Sequence, residues 1–209
     1  MRNNKTGRDQ DLNQDQHQHE KIIPYKTFLF FALTGSTILF LSLTLMFIIW
    51  FTHNPLAERL QMPKPFICST IVLLITSYIV TLSKNAFKND DSKQLIISFT
   101  ASLGLSMLVV GLQFLGCKEL FQQGFIISGE MGFSLIYIMI GLHFLHVIGG
   151  LLWQFYLNLK AYDAWNDPIK SLLYFSNRFE GSRIDLFNTY WHFVNGLWLF
   201  LFLTFLFTL

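Results

Sequence analysis

Charged residues are scarce in this chain, since Asp, Glu, Lys and Arg together make up 13% of its 209 residues. Soluble globular domains carry about 25% charged residues. The deficit, together with a hydrophobic content of 52%, indicates an integral membrane protein. The formal net charge of +2 is too small to indicate a nucleic-acid partner. Only two cysteines are present, without a CxxC spacing, so they cannot form a metal cage by themselves.

Long apolar segments dominate the rest of the sequence. Five of them approach the roughly 20 residues that a helix needs to cross a bilayer. A transmembrane β-barrel would show short alternating segments instead. The sequence therefore predicts an all-α fold, an integral membrane bundle of five transmembrane helices. The expected helices cover about residues 27–51, 66–86, 95–115, 131–159 and 186–209, after a polar, disordered tail over residues 1–26.

Basic residues are distributed unevenly between the two ends of these helices. Most of the 15 Lys and Arg residues lie in the tail, in the loop after the second helix and in the loop after the fourth. An alternating topology places these three segments on one side of the membrane. Because positively charged loops stay in the cytoplasm, we expect a cytoplasmic N-terminus and a C-terminus outside.

The two cysteines fall on the outer side in this topology. Cys68 lies at the start of the second predicted helix, and Cys117 follows the end of the third. The outer compartment permits disulfides. Two free thiols are the expected state, and a disulfide between Cys68 and Cys117 is the alternative.

Ionised residues are absent from the predicted helix cores, which argues against a free-standing pump or ion-coupled transporter. Histidines are present instead: His143 and His146 lie in "GLHFLHVIGG", and His192 lies in the last helix. Zinc or copper would need three or four converging ligands, and a di-iron bundle would need Glu-x-x-His motifs, which do not occur here. The favoured interpretation is that the three histidines hydrogen-bond within the bundle. A single haem between facing histidines is the alternative.

Small and polar residues recur on one face of three predicted helices. They are expected to face other helices, because lipid-facing surfaces should be apolar and small residues permit close backbone approach. At about 100° per residue, the expected faces are Gly132, His143, His146, Gly150 and Gln154 on the fourth helix, Asn188, His192, Asn195 and Gly196 on the fifth, and Thr100, Gly104 and Gly111 on the third.

Two ordered motifs resemble subunit III of the haem–copper cytochrome c and quinol oxidases. "GLHFLHVIGG" (141–150) resembles the Gly-x-His-x-x-His-Val signature of that family. "YWHFVNGLWLFLF" (190–202) resembles its last-helix signature, Tyr-Trp-His-Phe-Val-Asp followed by Trp-Leu-Phe. Two further segments, "MPKPFICSTIVLLITS" and "SLGLSMLVVGLQFLGCKEL", resemble family segments in the same order, with Gln113 and Glu119 in or near the expected places.

The resemblance implies a non-catalytic subunit III of a cytochrome c oxidase, in the five-helix form of many bacteria. Such a subunit holds no haem or copper, which lie in partner subunits. It packs against catalytic subunit I, with subunit II and a larger respiratory supercomplex as further partners. It binds phospholipids in a cleft and supports proton and oxygen access in the cytoplasmic membrane. The implied packing and lipid-cleft residues are His143, His146, Trp191, His192, Asn195, Gln113 and Glu119.

Two positions depart from the family pattern. Gly35 stands where a glutamate is usual in the first helix, and Asn195 stands where the last motif usually has aspartate. Asparagine keeps the hydrogen-bonding shape but cannot ionise. A proton relay through these two positions is therefore not expected, whereas packing and lipid binding are. A haem-bearing anchor of a quinone-linked dehydrogenase and a small transporter are the alternative functions.

Overall fold

The computed structural model of the chain describes residues 3–53, 62–124 and 131–208, with side chains from residue 24 onward. All regular elements in these ranges are helices, which confirms the all-α fold. They are α1 (Asn3–His53), α2 (Lys64–Lys88), α3 (Ser92–Gln122), α4 (Met131–Trp165), α5 (Pro168–Ser176) and α6 (Arg178–Thr208).

Five helices contain segments that are long and apolar enough to cross a membrane, as predicted. These segments are Pro24–His53, Lys64–Lys88, Ser92–Gln122, Met131–Trp165 and Arg178–Thr208. A helix satisfies its own backbone hydrogen bonds both in lipid and in the headgroup region, so it can continue beyond the end of its apolar segment. Several helices are consequently longer than predicted at their polar ends. The helix α1 begins at Asn3, and the disorder of the tail stays a prediction.

The short helix α5 was not predicted, because its polar flanks look like a loop in the sequence. The side chain of Asp167 accepts a hydrogen bond from the backbone N–H of Ile169 at 2.9 Å, and Pro168 occupies the first turn. Asn177 then accepts from the N–H of Phe179 at 2.9 Å and starts α6. Asp and Asn at these positions satisfy N–H groups that the first turn of a helix leaves free.

The helix α6 lies at the centre of the packing. It contacts α1, α2, α4 and α5, while α2 and α3 form an antiparallel hairpin and α4 packs against α3. Two apolar clusters fill the interior. One includes Met139 and Trp198, and the other includes Phe99 and Phe187 nearer the N-terminal end of α6.

The predicted face of α4 is confirmed, since Gly132, His143, Gly150 and Gln154 are buried and His146, at its edge, is half-buried. Gly150 matters most for the packing, because a Cβ there would lie 2.6 Å from Cζ3 of Trp191 on α6. The absence of a side chain at this position allows α4 and α6 to approach closely.

The predicted face of α3 is wrong for its two glycines. Gly104 and Gly111 are exposed, and no atom lies within 4 Å of a Cβ built on either. Thr100 is also exposed, but its hydroxyl accepts from Asn158 Nδ2 of α4 at 3.3 Å. The opposite stripe is buried instead, and its polar members are Ser98, Ser102, Ser106 and Gln113. Serine is small enough for the close helix contact at this stripe. The hydroxyls of Ser102 and Ser106 donate to backbone carbonyls of the preceding turn.

The predicted face of α6 is right for all but Gly196. Asn188 and Asn195 are buried, and His192, although exposed, hydrogen-bonds to α2. Gly196 is exposed, with no atom within 4 Å of a built Cβ. The buried stripe also contains Trp191 and Trp198. Because these large rings point into the interior, the helix is oriented with His192 at the edge of the bundle.

Cys68 and Cys117 are both free thiols, the expected state, with Cys68 exposed and Cys117 half-buried. The alternative of a disulfide between them is not formed in the structure.

Candidate functional site

His143 is packed against an aromatic ring rather than hydrogen-bonded. The residue is completely buried, and its ring lies over Trp198 of α6 with the centroids 5.0 Å apart and the planes inclined by 33°. Neither ring nitrogen has a hydrogen-bond partner among the described residues. Trp198 in turn donates its Nε1–H to Thr70 Oγ1 of α2 at 3.0 Å. The expectation that His143 hydrogen-bonds within the bundle is therefore wrong, and His143 links α4 to α6 by ring packing.

His146 hydrogen-bonds to α1 at the residue next to Gly35. Its Nδ1 lies 2.7 Å from the Leu142 carbonyl oxygen, which can only accept. Nδ1 therefore carries the proton, and Nε2 accepts from Ser36 Oγ at 3.0 Å. Gly35 is exposed and has no atom within 4 Å of a built Cβ. Ser36, rather than residue 35, thus supplies the partner of this histidine.

His192 bonds to α2 at the exposed edge of the bundle. The Thr81 hydroxyl donates to the Ser77 carbonyl at 3.1 Å, so Thr81 Oγ1 can accept from His192 Nε2–H at 3.2 Å. Nδ1 then accepts from Ser77 Oγ at 2.8 Å. An ion pair between Lys84 and Asp185, with N–O distance 2.9 Å, continues the same surface toward the N-terminal end of α6. These five residues are called the His192 face below.

The three intramembrane histidines therefore have different neighbours. His143 packs against α6, His146 bonds to α1 and His192 bonds to α2. Within the described ranges, no group of three or more His, Cys, Asp or Glu residues is placed to hold a metal ion.

The remaining candidates from the sequence lie at separate places. Gln113 is completely buried in α3, and neither of its side-chain polar atoms has a partner among the described residues. Glu119 is half-buried near the end of α3. Trp191 and Asn195 are buried in α6, where Trp191 Nε1 and Asn195 Nδ2 likewise lack partners in the described part of the chain.

A charge cluster around the buried Glu180, near the start of α6, was not predicted from the sequence. Glu180 is 6% exposed, and its Oε1 accepts from Lys160 Nζ at 2.6 Å and from Arg183 Nη1 at 3.2 Å. Burial raises the pKa of the neighbouring Tyr174, and the negative charge of Glu180 raises it further. The sequence signal was the Glu180–Arg183 spacing of three residues, which places both on one helix face. Two cations against one carboxylate leave this cluster with one excess positive charge.

Two separate apolar pockets lie between α1 and α6. The first has a volume of about 380 Å³, is also lined by α4 and lies beside Arg183, whose guanidinium is over Phe179 at 4.5 Å and over Tyr156 at 5.7 Å. The second, of about 290 Å³, lies beside Gly196. At 1.5 Å per residue, Arg183 and Gly196 are about 20 Å apart along α6.

Comparison with known proteins gives consistent matches over nearly the whole chain. The family model "Cytochrome c oxidase subunit III" matches residues 26–208. Cytochrome c oxidase subunit 3 of Bacillus sp. strain PS3 is 28% identical over 81% of this chain and 79% of its own length. The subunit 3 from Bacillus subtilis has the same identity and coverage. Cytochrome bo(3) ubiquinol oxidase subunit 3 of Buchnera aphidicola is 25% identical over 72% of each chain.

Proposed function

Because the chain belongs to the cytochrome c oxidase subunit III family and is a subunit III of a haem–copper oxidase, we propose that it is an accessory subunit which stabilises catalytic subunit I. Oxygen reduction takes place at haem and copper in the partner subunits. The observation that carries this role is the separate placement of the three intramembrane histidines, each of which joins helices rather than a common ligand.

The multi-pass bundle resides in the cytoplasmic membrane of a bacterium, with its N-terminus inside and subunits I and II as its partners. Cytochrome c is the proposed electron donor, although the relatives include both cytochrome c and ubiquinol oxidases by name. Support for proton and oxygen access comes from the packing and the lipids of the subunit. Neither Gly35 nor Asn195 offers a carboxylate for a proton relay.

The His192 face is the proposed contact with subunit I. His192 lies near the middle of α6, yet it is exposed in the isolated chain together with half of the Asp185 side chain. Ionisable groups at this depth normally face protein or a water-filled cavity, because contact with lipid is costly. A transmembrane helix of subunit I with polar groups would cover this face and share its hydrogen bonds.

We predict that His192→Ala weakens the association with subunit I while the haem of subunit I is retained. The change removes both bonds to α2 from the contact surface but removes no buried packing. The fraction of this chain that co-purifies with subunit I in mild detergent should fall several-fold, with an unchanged haem spectrum per subunit I. The control is His53→Ala, an equal truncation of an exposed histidine at the end of α1. Equal co-purification of both variants would rule out this contact.

The two apolar pockets between α1 and α6 are the proposed phospholipid site. Their walls are apolar and suit acyl chains, and Arg183 lies near the start of the span Arg178–Thr208, where a headgroup is expected. The excess positive charge of the Glu180 cluster favours a phosphate there, since arginine binds phosphate oxygens with fixed geometry. Gly196 leaves space at the second pocket, since no atom lies within 4 Å of a Cβ built there.

We predict that Arg183→Leu lowers the amount of phospholipid that the purified complex retains by about one molecule. Lys160 still neutralises Glu180 at 2.6 Å, so the cluster itself should persist. The measurement is phospholipid per complex by mass spectrometry. The matched control is Arg178→Leu, which removes an exposed arginine that lines neither pocket. Equal lipid content in the two variants would contradict this site.

The haem-bearing anchor is the competing function, and an optical spectrum separates it from the accessory role. After removal of every partner subunit, the chain should show no haem band. A haem band that persists in the isolated chain would overturn the accessory role and favour the anchor.

A further inference from the structure

A small cavity lies inside the bundle where the two apolar clusters meet. Its volume is about 10 Å³, and four helices line it. The apolar lining includes Leu73 and Val109 of one cluster, together with Val147 and Val194. The polar lining is provided by Thr76 of α2, Ser106 of α3, and Trp191 and Asn195 of α6.

Two of the residues that line this cavity carry a hydrogen-bond donor with no acceptor among the described residues. The donors are Trp191 Nε1 and Asn195 Nδ2, and both side chains are more than nine-tenths buried. A buried donor without an acceptor is costly, and a membrane helix has no surrounding solvent to supply one. A group that accepts hydrogen bonds is therefore needed inside the cavity.

Two hydroxyl groups at the same cavity can only accept. Thr76 already donates its proton to the Val72 carbonyl at 2.8 Å, and Ser106 donates to the Ser102 carbonyl at 2.6 Å. Each hydroxyl oxygen keeps lone pairs that are free to accept. The cavity thus combines two donors with two acceptors and carries no charged side chain.

We propose that this cavity is the binding site of a single structural water molecule that joins α2, α3 and α6. The water accepts from Trp191 and Asn195 and donates to Thr76 and Ser106, which completes its four hydrogen bonds. Internal waters typically have two to four polar partners and need a volume of this order. A bare cation would meet two donors, and an anion would meet two oxygen lone pairs, so neither matches the lining.

The proposal also assigns a role to the asparagine at position 195. An ionised aspartate at this position could only accept a hydrogen bond, so the water would have to donate to it. The asparagine amide instead donates a hydrogen bond to the water, as the Trp191 indole does. The water is thus held as part of a neutral, fixed packing element.

The direct test is a density map of the assembled complex at a resolution that shows ordered water. The expected result is a peak about 3 Å from both Trp191 Nε1 and Asn195 Nδ2. A cavity without such a peak would overturn the proposal, and no variant has to fold for this measurement.

The second test is Val147→Ile, which adds one carbon to the cavity wall. If water occupies the site, the larger side chain displaces it and leaves two donors unpaired, so the thermal midpoint of the full chain in detergent should fall by at least about 3 °C. Filling a dry cavity should instead raise the midpoint. The control is Val110→Ile, the same change at a half-buried position of α3 outside the cavity. A midpoint equal to that of the control or above it would contradict the proposal.

Discussion

Replacement of Gly150 by valine should separate α4 from α6 and prevent stable assembly of the subunit. A Cβ at this position would lie 2.6 Å from Trp191 Cζ3 and 3.0 Å from Trp191 Cε3. The indole cannot retreat easily, because Phe187 packs against it with the ring centroids 5.6 Å apart. Overpacking of this kind costs about 1–3 kcal/mol, and the extra methyl groups of valine place the effect at the upper end. The thermal midpoint of the purified chain should fall by roughly 8 °C.

Gly141→Val is the matched control for this prediction. Gly141 lies on the exposed side of the same helix, with no atom within 4 Å of a built Cβ. The control therefore includes the same loss of glycine and the same β-branched side chain without the steric clash. If both variants lower the midpoint equally, the close approach of α4 and α6 at Gly150 is not what stabilises the bundle.

Truncation of Trp198 to alanine should cost about 3–5 kcal/mol, the range for large aromatic side chains in cores. Trp198 is completely buried, covers His143 at 5.0 Å and meets Phe66 edge-on at 5.4 Å. Its removal leaves a cavity between α2, α4 and α6 and an uncovered His143. Thermal unfolding should shift down by roughly 10 °C, with a loss of association with subunit I as the consequence.

Trp198→Phe separates the ring packing from the hydrogen bond. Phenylalanine retains most of the ring contact with His143 but cannot donate to Thr70, which should cost about 1 kcal/mol. His143→Ala should weaken association in the same direction as Trp198→Ala, because it removes the other ring of the pair. A drop for Trp198→Phe as large as that for alanine would mean that the hydrogen bond, and not the packing, holds this contact.

The sequence predicted the helices well because apolar length is a direct requirement of the bilayer. It also predicted the α4 face, where Gly132 and Gly150 accommodate tryptophan rings from α1 and α6. The α3 face was wrong because glycine and serine serve equally well as small residues at a helix contact. The face that is buried contains Ser102, whose hydroxyl accepts from Gln154 Nε2 of α4 at 2.5 Å. A partner on another helix cannot be read from the spacing within α3.

The site could be predicted only in part, for a related reason. His143 and His146 are three residues apart, yet one packs against Trp198 and the other bonds to Ser36, 110 positions away in sequence. Helix periodicity gives the face of a residue but not the neighbour that the face meets. Glu180 was missed because its burial depends on Lys160, 20 residues earlier, and no local pattern encodes that pairing.

The central claim is that this chain is an accessory subunit of a haem–copper oxidase, and co-purification from native membranes in mild detergent tests it most directly. The tagged full chain should bring down catalytic subunits I and II, and the haem absorbance of the preparation should leave with subunit I when the partners are stripped away. Recovery of the chain without any oxidase subunit, or with haem that stays on the stripped chain, would contradict the account.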